Sequence, residues 1–166
     1  MIAADEKIDL TPWETRVLGG SLYADGSAVI RAAELEWLDG PIEGLKFKVT
    51  FADPNTGDWS AQIKLEPDQV FPAHVNHAEV HYMIVSGELR TEAGILTAEN
   101  YMRDPGGFVP ERQAGSEGAT CFVKFLGGIS AADENGRSVG PVVDVLRARD
   151  IAQANKSGEV LFVPIR

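Results

Sequence analysis

Between residues 45 and 65 the chain alternates. Leu45, Phe47, Val49 and Phe51 are apolar, and Lys46, Lys48 and Thr50 between them are polar. After the turn formers "ADPNTGD", Trp59, Ala61, Ile63 and Leu65 alternate with Ser60, Gln62 and Lys64. A period of two places one face of an extended segment on a core and the other toward water. The spacing therefore predicts two strands joined as a hairpin with a long loop. Downstream, "VHYMIVSGEL" and "ATCFVKFL" are apolar at odd and even positions alike, which predicts strands covered on both faces. Turn formers recur between these runs in "EPDQ", "EAG" and "RDPGG". Short strands at such regular spacing predict an all-β sandwich or barrel. Two segments outside this middle, "SAVIRAAELEWL" and "DVLRARDIAQAN", are rich in Ala, Leu, Arg and Glu and have helical propensity.

Composition narrows the partners. A chain of 166 residues favours one domain, residues 1–166, with a sizeable core. The net charge of -10 and the absence of a Lys/Arg-rich run repel a phosphate backbone, which argues against nucleic acid. The same charge argues against anionic membrane surfaces. No apolar segment reaches the roughly 20 residues of a membrane span, and the start "MIAADEKIDL" lacks a basic region followed by an apolar run, so a cytoplasmic protein is expected. The single cysteine, Cys121 in "ATCFVKF", cannot form an internal disulfide and reads as a buried thiol. Tyr82 and Tyr101 read as core residues with bonded hydroxyls, and Trp13, Trp37 and Trp59 as packing residues.

The three histidines of the chain, His74, His77 and His81, all lie in "FPAHVNHAEVHYMIVSGEL". Imidazole offers a lone pair to a metal, and several must converge to hold one. In a strand beginning near His77, residues 77, 79 and 81 share a face, and His74 can join them from the preceding turn. The other reading of the cluster is a polar patch or a hydrogen-bonded core group.

"PAHVNHAEVHYMIVSGEL" resembles the first motif of the cupins, and "AENYMRDPGGFVPE" resembles the second. The stretch from Trp37 to Gly128 is similar to small cupins related to acetylacetone-cleaving and dihydroxyacetophenone dioxygenases and to zinc-binding anti-sigma-factor cupins. The resemblance implies a cupin-type β-sandwich barrel, a jelly roll. Its core would be about residues 37–128, and residues 1–36 and 129–166 would be N- and C-terminal extensions that cover edges or pair with a second subunit, as a homodimer. Counting back from Gly87, His74 falls on the first metal-binding histidine, Asn76 on the second and Val80 on the glutamate. In the second motif the third histidine falls on Pro110, and the opening glycine falls on Glu99.

Two readings follow from the resemblance. In one, a metal site is rebuilt from His74, His77 and His81, with Glu79 or Glu111 as a fourth ligand. The ion would be divalent: Fe2+ first, or Zn2+, Ni2+ or Mn2+. Glu111 and Arg112 are then the candidate catalytic pair, with an inward-facing arginine holding a carboxylate or enolate through two parallel hydrogen bonds. The implied activity is that of a dioxygenase-like oxidoreductase acting on a small β-dicarbonyl or hydroxyaryl ketone. In the other, the metal is lost and the barrel is a non-catalytic ligand-binding or sensor cupin. A metal-assisted isomerase or lyase is a third possibility on the same scaffold.

Overall fold

The computed structural model describes residues 20–22, 28–40 and 44–154. Among the described residues the strands, in chain order, are β1 (Gly20–Leu22), β2 (Ala28–Ile30), β3 (Leu38–Asp39), β4 (Lys46–Asp53), β5 (Asp58–Leu65), β6 (Val70–Phe71) and β7 (His74–Asn76). They continue with β8 (Val80–Thr91), β9 (Gly94–Thr97), β10 (Tyr101–Asp104), β11 (Gly107–Val109), β12 (Arg112–Phe125), β13 (Ile129–Ala132) and β14 (Ser138–Val143). One α-helix, α1 (Val145–Ala154), follows.

The expected hairpin forms: β4 pairs antiparallel with β5, with Phe47 opposite Ile63. A register shift between Val49 and Phe51 brings Ala52 rather than Phe51 into the core, and Lys48, Thr50 and Ser60, expected toward water, are buried. The larger sheet runs β10-β8-β12-β5-β4-β3, with β9 added to β8 and β6 to β12. The smaller sheet runs β11-β7-β13-β14. The two sheets form a β-sandwich. Its core is built from the inward positions of β4, β5, β8 and β12, including Val49, Ala61, Ile84 and Val123. Trp59 stacks on Phe125 with ring centroids 4.0 Å apart and donates its indole N–H to the Gly127 carbonyl at 3.0 Å. The aromatic bulk is thus buried without an orphaned donor. The segment expected as an extension from residue 129 begins with β13 and β14, two strands of the smaller sheet.

The chain changes sheets at residues 77–79. The strand holding His74 belongs to the smaller sheet, and the strand holding His81 belongs to the larger one. The bend is held by the His77 N–H on the Gly128 carbonyl, 2.8 Å. The two-residue alternation carries through the bend: His74, Asn76, Val80 and Tyr82 are buried, and positions 77, 79 and 81 fall on the opposite, less buried side.

Helix α1 forms where propensity placed it. The Asp144 carboxylate accepts the Arg147 N–H at 2.9 Å, an N-cap, and Val145 and Ala148 are buried in the core. The other helical expectation, over residues 27–38, gives way to β2 and a single 3-10 turn, Ala32–Glu34. Ile30 pairs with Gly20 of β1, the β-branched Val29 and Ile30 suit a strand, and the 3-10 turn has no side-chain cap. The two-faced coverage expected of β8 and β12 is also corrected. Met83 of β8 is paired with Phe122 of β12 and with Tyr101 of β10. These three form a row on the outer face, and they are 42%, 38% and 60% exposed. Tyr101 is therefore a surface residue, not a core one. Trp37 packs, half-buried, beneath the Lys48 ammonium, 4.6 Å from the ring centroid. Trp13 lies outside the described residues.

Candidate functional site

The inner faces of the two sheets enclose a cavity. Its polar wall is His74 and Asn76 of β7, Tyr82 of β8, Asp104 of β10 and Arg112 of β12, and its apolar wall includes Ile63, Leu65, Phe71, Val80, Leu89 and Val123. About 50 Å3 is open to the centres of water-sized groups, room for a small organic group or a few waters. The three ligand positions of the first motif, 74, 76 and 80, all face this cavity.

Arg112 organises the polar wall. Its Nη1 donates to the Tyr82 hydroxyl at 2.7 Å and to Asp104 Oδ2 at 2.9 Å. Its Nη2 donates to Asp104 Oδ1 at 3.0 Å and to Glu92 Oε1 at 2.8 Å, and its Nε donates to Glu92 Oε2 at 3.3 Å. A guanidinium has five N–H donors, and all five are accepted by the protein. The Tyr82 hydroxyl donates onward to Met102 Sδ at 2.9 Å, and burial raises its pKa above the ordinary phenol value. The Arg112 hydrogen bonds hold the Glu92 carboxyl below its usual range. The role expected of Arg112, an open fork for a carboxylate or enolate, is thus taken by Asp104 and Glu92. Glu111 is exposed and is absent from the cavity wall.

His74 is buried, and its Nδ1 lies 3.1 Å from the Pro72 carbonyl. A carbonyl only accepts, so Nδ1 carries the hydrogen and Nε2 keeps its lone pair. Desolvation lowers the His74 pKa below 6.5, which keeps the ring neutral. Asn76 is 2% exposed, and neither its Oδ1 nor its Nδ2 has a hydrogen-bond partner. Its backbone is fixed between Gly107 and Ile129 on the flanking strands.

The other two histidines stand elsewhere. His77 is exposed at the bend, with Nε2 2.9 Å from the Ser130 hydroxyl. His81 lies on the outer face of β8, between Tyr101 and Glu79. Glu79 also binds Arg103, whose hydrogen bond holds the Glu79 carboxyl down at about 2. Cys121 is part of the cavity wall, and burial pushes its thiol up to about 12, as befits an inert packing residue. Asp104 and Glu92 were not singled out by the sequence. Asn76 was marked only by falling on a motif ligand position.

A divalent metal, implied by the cupin resemblance, requires several donors converging on one point. Among the described residues no three His, Cys, Asp or Glu side chains do so. Of the motif positions, His74 offers one nitrogen, Val80 offers no donor, and the nearby Asp104 carboxylate is consumed by a guanidinium. The residues present do not fit a cupin metal centre.

Comparisons with known proteins bear on the fold. The family model of the ChrR Cupin-like domain matches residues 25–127. No curated protein matches the sequence. Among solved structures, the chain is similar to an acetylacetone dioxygenase from Acinetobacter johnsonii, with TM-score 0.63 and 17% identity, over 71% of this chain and 85% of that one. It is also similar to a proposed acetylacetone dioxygenase from Methylibium petroleiphilum PM1, with TM-score 0.66 and 17% identity, over 74% and 91%. A third is an RmlC-like cupin protein from Ralstonia eutropha JMP134, with TM-score 0.63 and 15% identity, over 78% and 87%. At such identities the likeness is one of fold.

Proposed function

We propose that this chain, which belongs to the ChrR Cupin-like domain family, binds a small organic ligand directly through protein groups inside the barrel and acts as a binding or sensor module. The observation that carries this reading is the buried Asn76 carboxamide, whose oxygen and nitrogen both lack a partner at the cavity wall. An unsatisfied buried polar atom costs on the order of 1–3 kcal/mol. Such a cost is borne where it serves recognition. The apolar remainder of the wall suits the hydrocarbon part of a ligand.

The dioxygenase reading rests on the two structural neighbours, whose likeness is one of fold. It lacks the donor set that iron chemistry needs. The two readings separate in one pair of measurements on the purified chain. A fragment screen by thermal shift is expected to find ligands whose stabilisation is lost in His74→Ala and kept in His77→Ala. Elemental analysis after incubation with Fe2+, Zn2+, Ni2+ and Mn2+ completes the test. Stoichiometric metal that is lost in His74→Ala, together with ketone-dependent oxygen uptake, overturns the proposal in favour of the oxygenase. The exposed row of Tyr101, Met83 and Phe122 supports self-association as a homodimer, which light scattering coupled to size exclusion would read directly.

A further inference from the structure

The ligand chemistry can be carried further on the same reading of the cavity. We infer that the site recognises a primary amide, because His74 and Asn76 together present two acceptor atoms and one donor nitrogen on one face of β7. His74 and Asn76 are two residues apart on a strand, so their side chains project to the same side about 7 Å apart. The acceptors are His74 Nε2, left with its lone pair because Nδ1–H is engaged by Pro72, and Asn76 Oδ1. The donor is Asn76 Nδ2, unpartnered like the oxygen.

The complementary group must offer two N–H or O–H donors and at least one acceptor. A primary amide, R–CO–NH2, does so: its carbonyl accepts from Asn76 Nδ2, one N–H donates to Asn76 Oδ1, and the second N–H donates to His74 Nε2. A carboxylate has no donor and a ketone has none, so each leaves two buried acceptors unpaired. Sites that hydrogen-bond a ligand group reject analogues lacking it far more strongly than sites that merely enclose it.

Charge points the same way. Among the described residues the one guanidinium on the cavity wall, that of Arg112, has all five N–H groups engaged. Glu92, ionised beside it, repels an anion. The neutral ligand's hydrocarbon part meets Ile63, Leu65, Phe71 and Val80, and the limited space favours a short, branched chain.

The test uses three compounds of nearly one shape: isobutyramide, isobutyrate and 3-methyl-2-butanone. Affinities are measured by calorimetry, and the Asn76 side-chain NH2 signal is followed by 15N NMR. The amide is expected to bind at least about tenfold tighter than the other two, a difference of about 1.4 kcal/mol, and to shift the Asn76 signal. Asn76→Leu is expected to abolish the preference while raising the stability of the unliganded protein, since an apolar replacement removes the orphaned pair. The wild-type NMR titration decides the matter should the variant not fold. Equal binding of the ketone or the acid overturns the amide assignment and leaves ligand binding in the barrel intact. Binding of unrelated fragments without any amide does the same. A cavity that takes no compound from the three or from the wider screen overturns both.

Discussion

Arg112 and Asp104 meet in a two-point fork, with Nη1 2.9 Å from Oδ2 and Nη2 3.0 Å from Oδ1, and both side chains are almost wholly shielded from solvent. The pair ties the start of β12 to the end of β10, and Glu92 closes it from the β8–β9 turn. Arg112→Met leaves the Asp104 carboxylate buried without its counter-charge. The expected loss of folding free energy is about 3–5 kcal/mol. The double variant Arg112→Met with Asp104→Leu should recover much of it, since it removes both charges. Urea denaturation of the two singles and the double closes the cycle, and additive losses would show that the two groups are not coupled.

Stability should fall with acid in a window set by His74. Its pKa in the folded chain lies below the ordinary 6.5 because burial disfavours the charged ring. The unfolded chain therefore binds more protons as pH drops below 6.5, and folding stability declines from there through the lowered folded value. Above 6.5 this group adds no slope. His74→Gln should flatten that segment of a plot of urea midpoint against pH, and an unchanged slope would assign the acid sensitivity elsewhere.

His77 and His81 are expected to matter little to the cavity. His77→Ala and His81→Ala should each change stability by no more than about 0.5 kcal/mol, as for other solvent-facing substitutions, and leave ligand affinity unaltered. Calorimetry on both variants checks this. A large loss of affinity in either would bring that histidine back into the site.

Glu99 has φ +71, in the left-handed region that glycine tolerates best. It is the third residue of a turn closed by the Asn100 N–H on the Thr97 carbonyl at 3.0 Å. A side chain at such a position costs on the order of 1 kcal/mol. Glu99→Gly should therefore raise stability by up to about that amount, less the greater freedom it gives the unfolded chain. A lower denaturation midpoint would contradict the strain.

The same residue shows what could be read from the chain. The motif count put a glycine position on Glu99, and the backbone there is the one glycine favours. It also put ligand positions on 74, 76 and 80, and these face the cavity. Alternation was enough to place the β4–β5 hairpin, but it missed the register shift between Val49 and Phe51 and the burial of Lys48, Thr50 and Ser60 on the side expected to face water. The histidines were misplaced for a physical reason: the alternation runs on through the bend at 77–79, so the even positions 74, 76, 80 and 82 face the cavity, and His77 and His81, of the opposite parity to His74, face away from it. The apolar content of β8 and β12 suggested cover on both faces, yet the sheet is covered on one face only along the row from Tyr101 to Phe122. The Arg112 network was hidden because its partners come from three separate strands or turns, and only folding brings them together.

That uncovered row sets a condition on how the molecule behaves in concentrated solution. Met83, Phe122 and Tyr101 form an exposed apolar strip, and the shared charge of -10 opposes further association beyond the pairing this strip favours. Near the sequence pI of about 4.7 that repulsion vanishes, and in high salt it is screened to within a few ångströms. Solubility should therefore have a sharp minimum in mild acid. Replacing Met83 with lysine, which changes nothing inside the barrel, should lift that minimum.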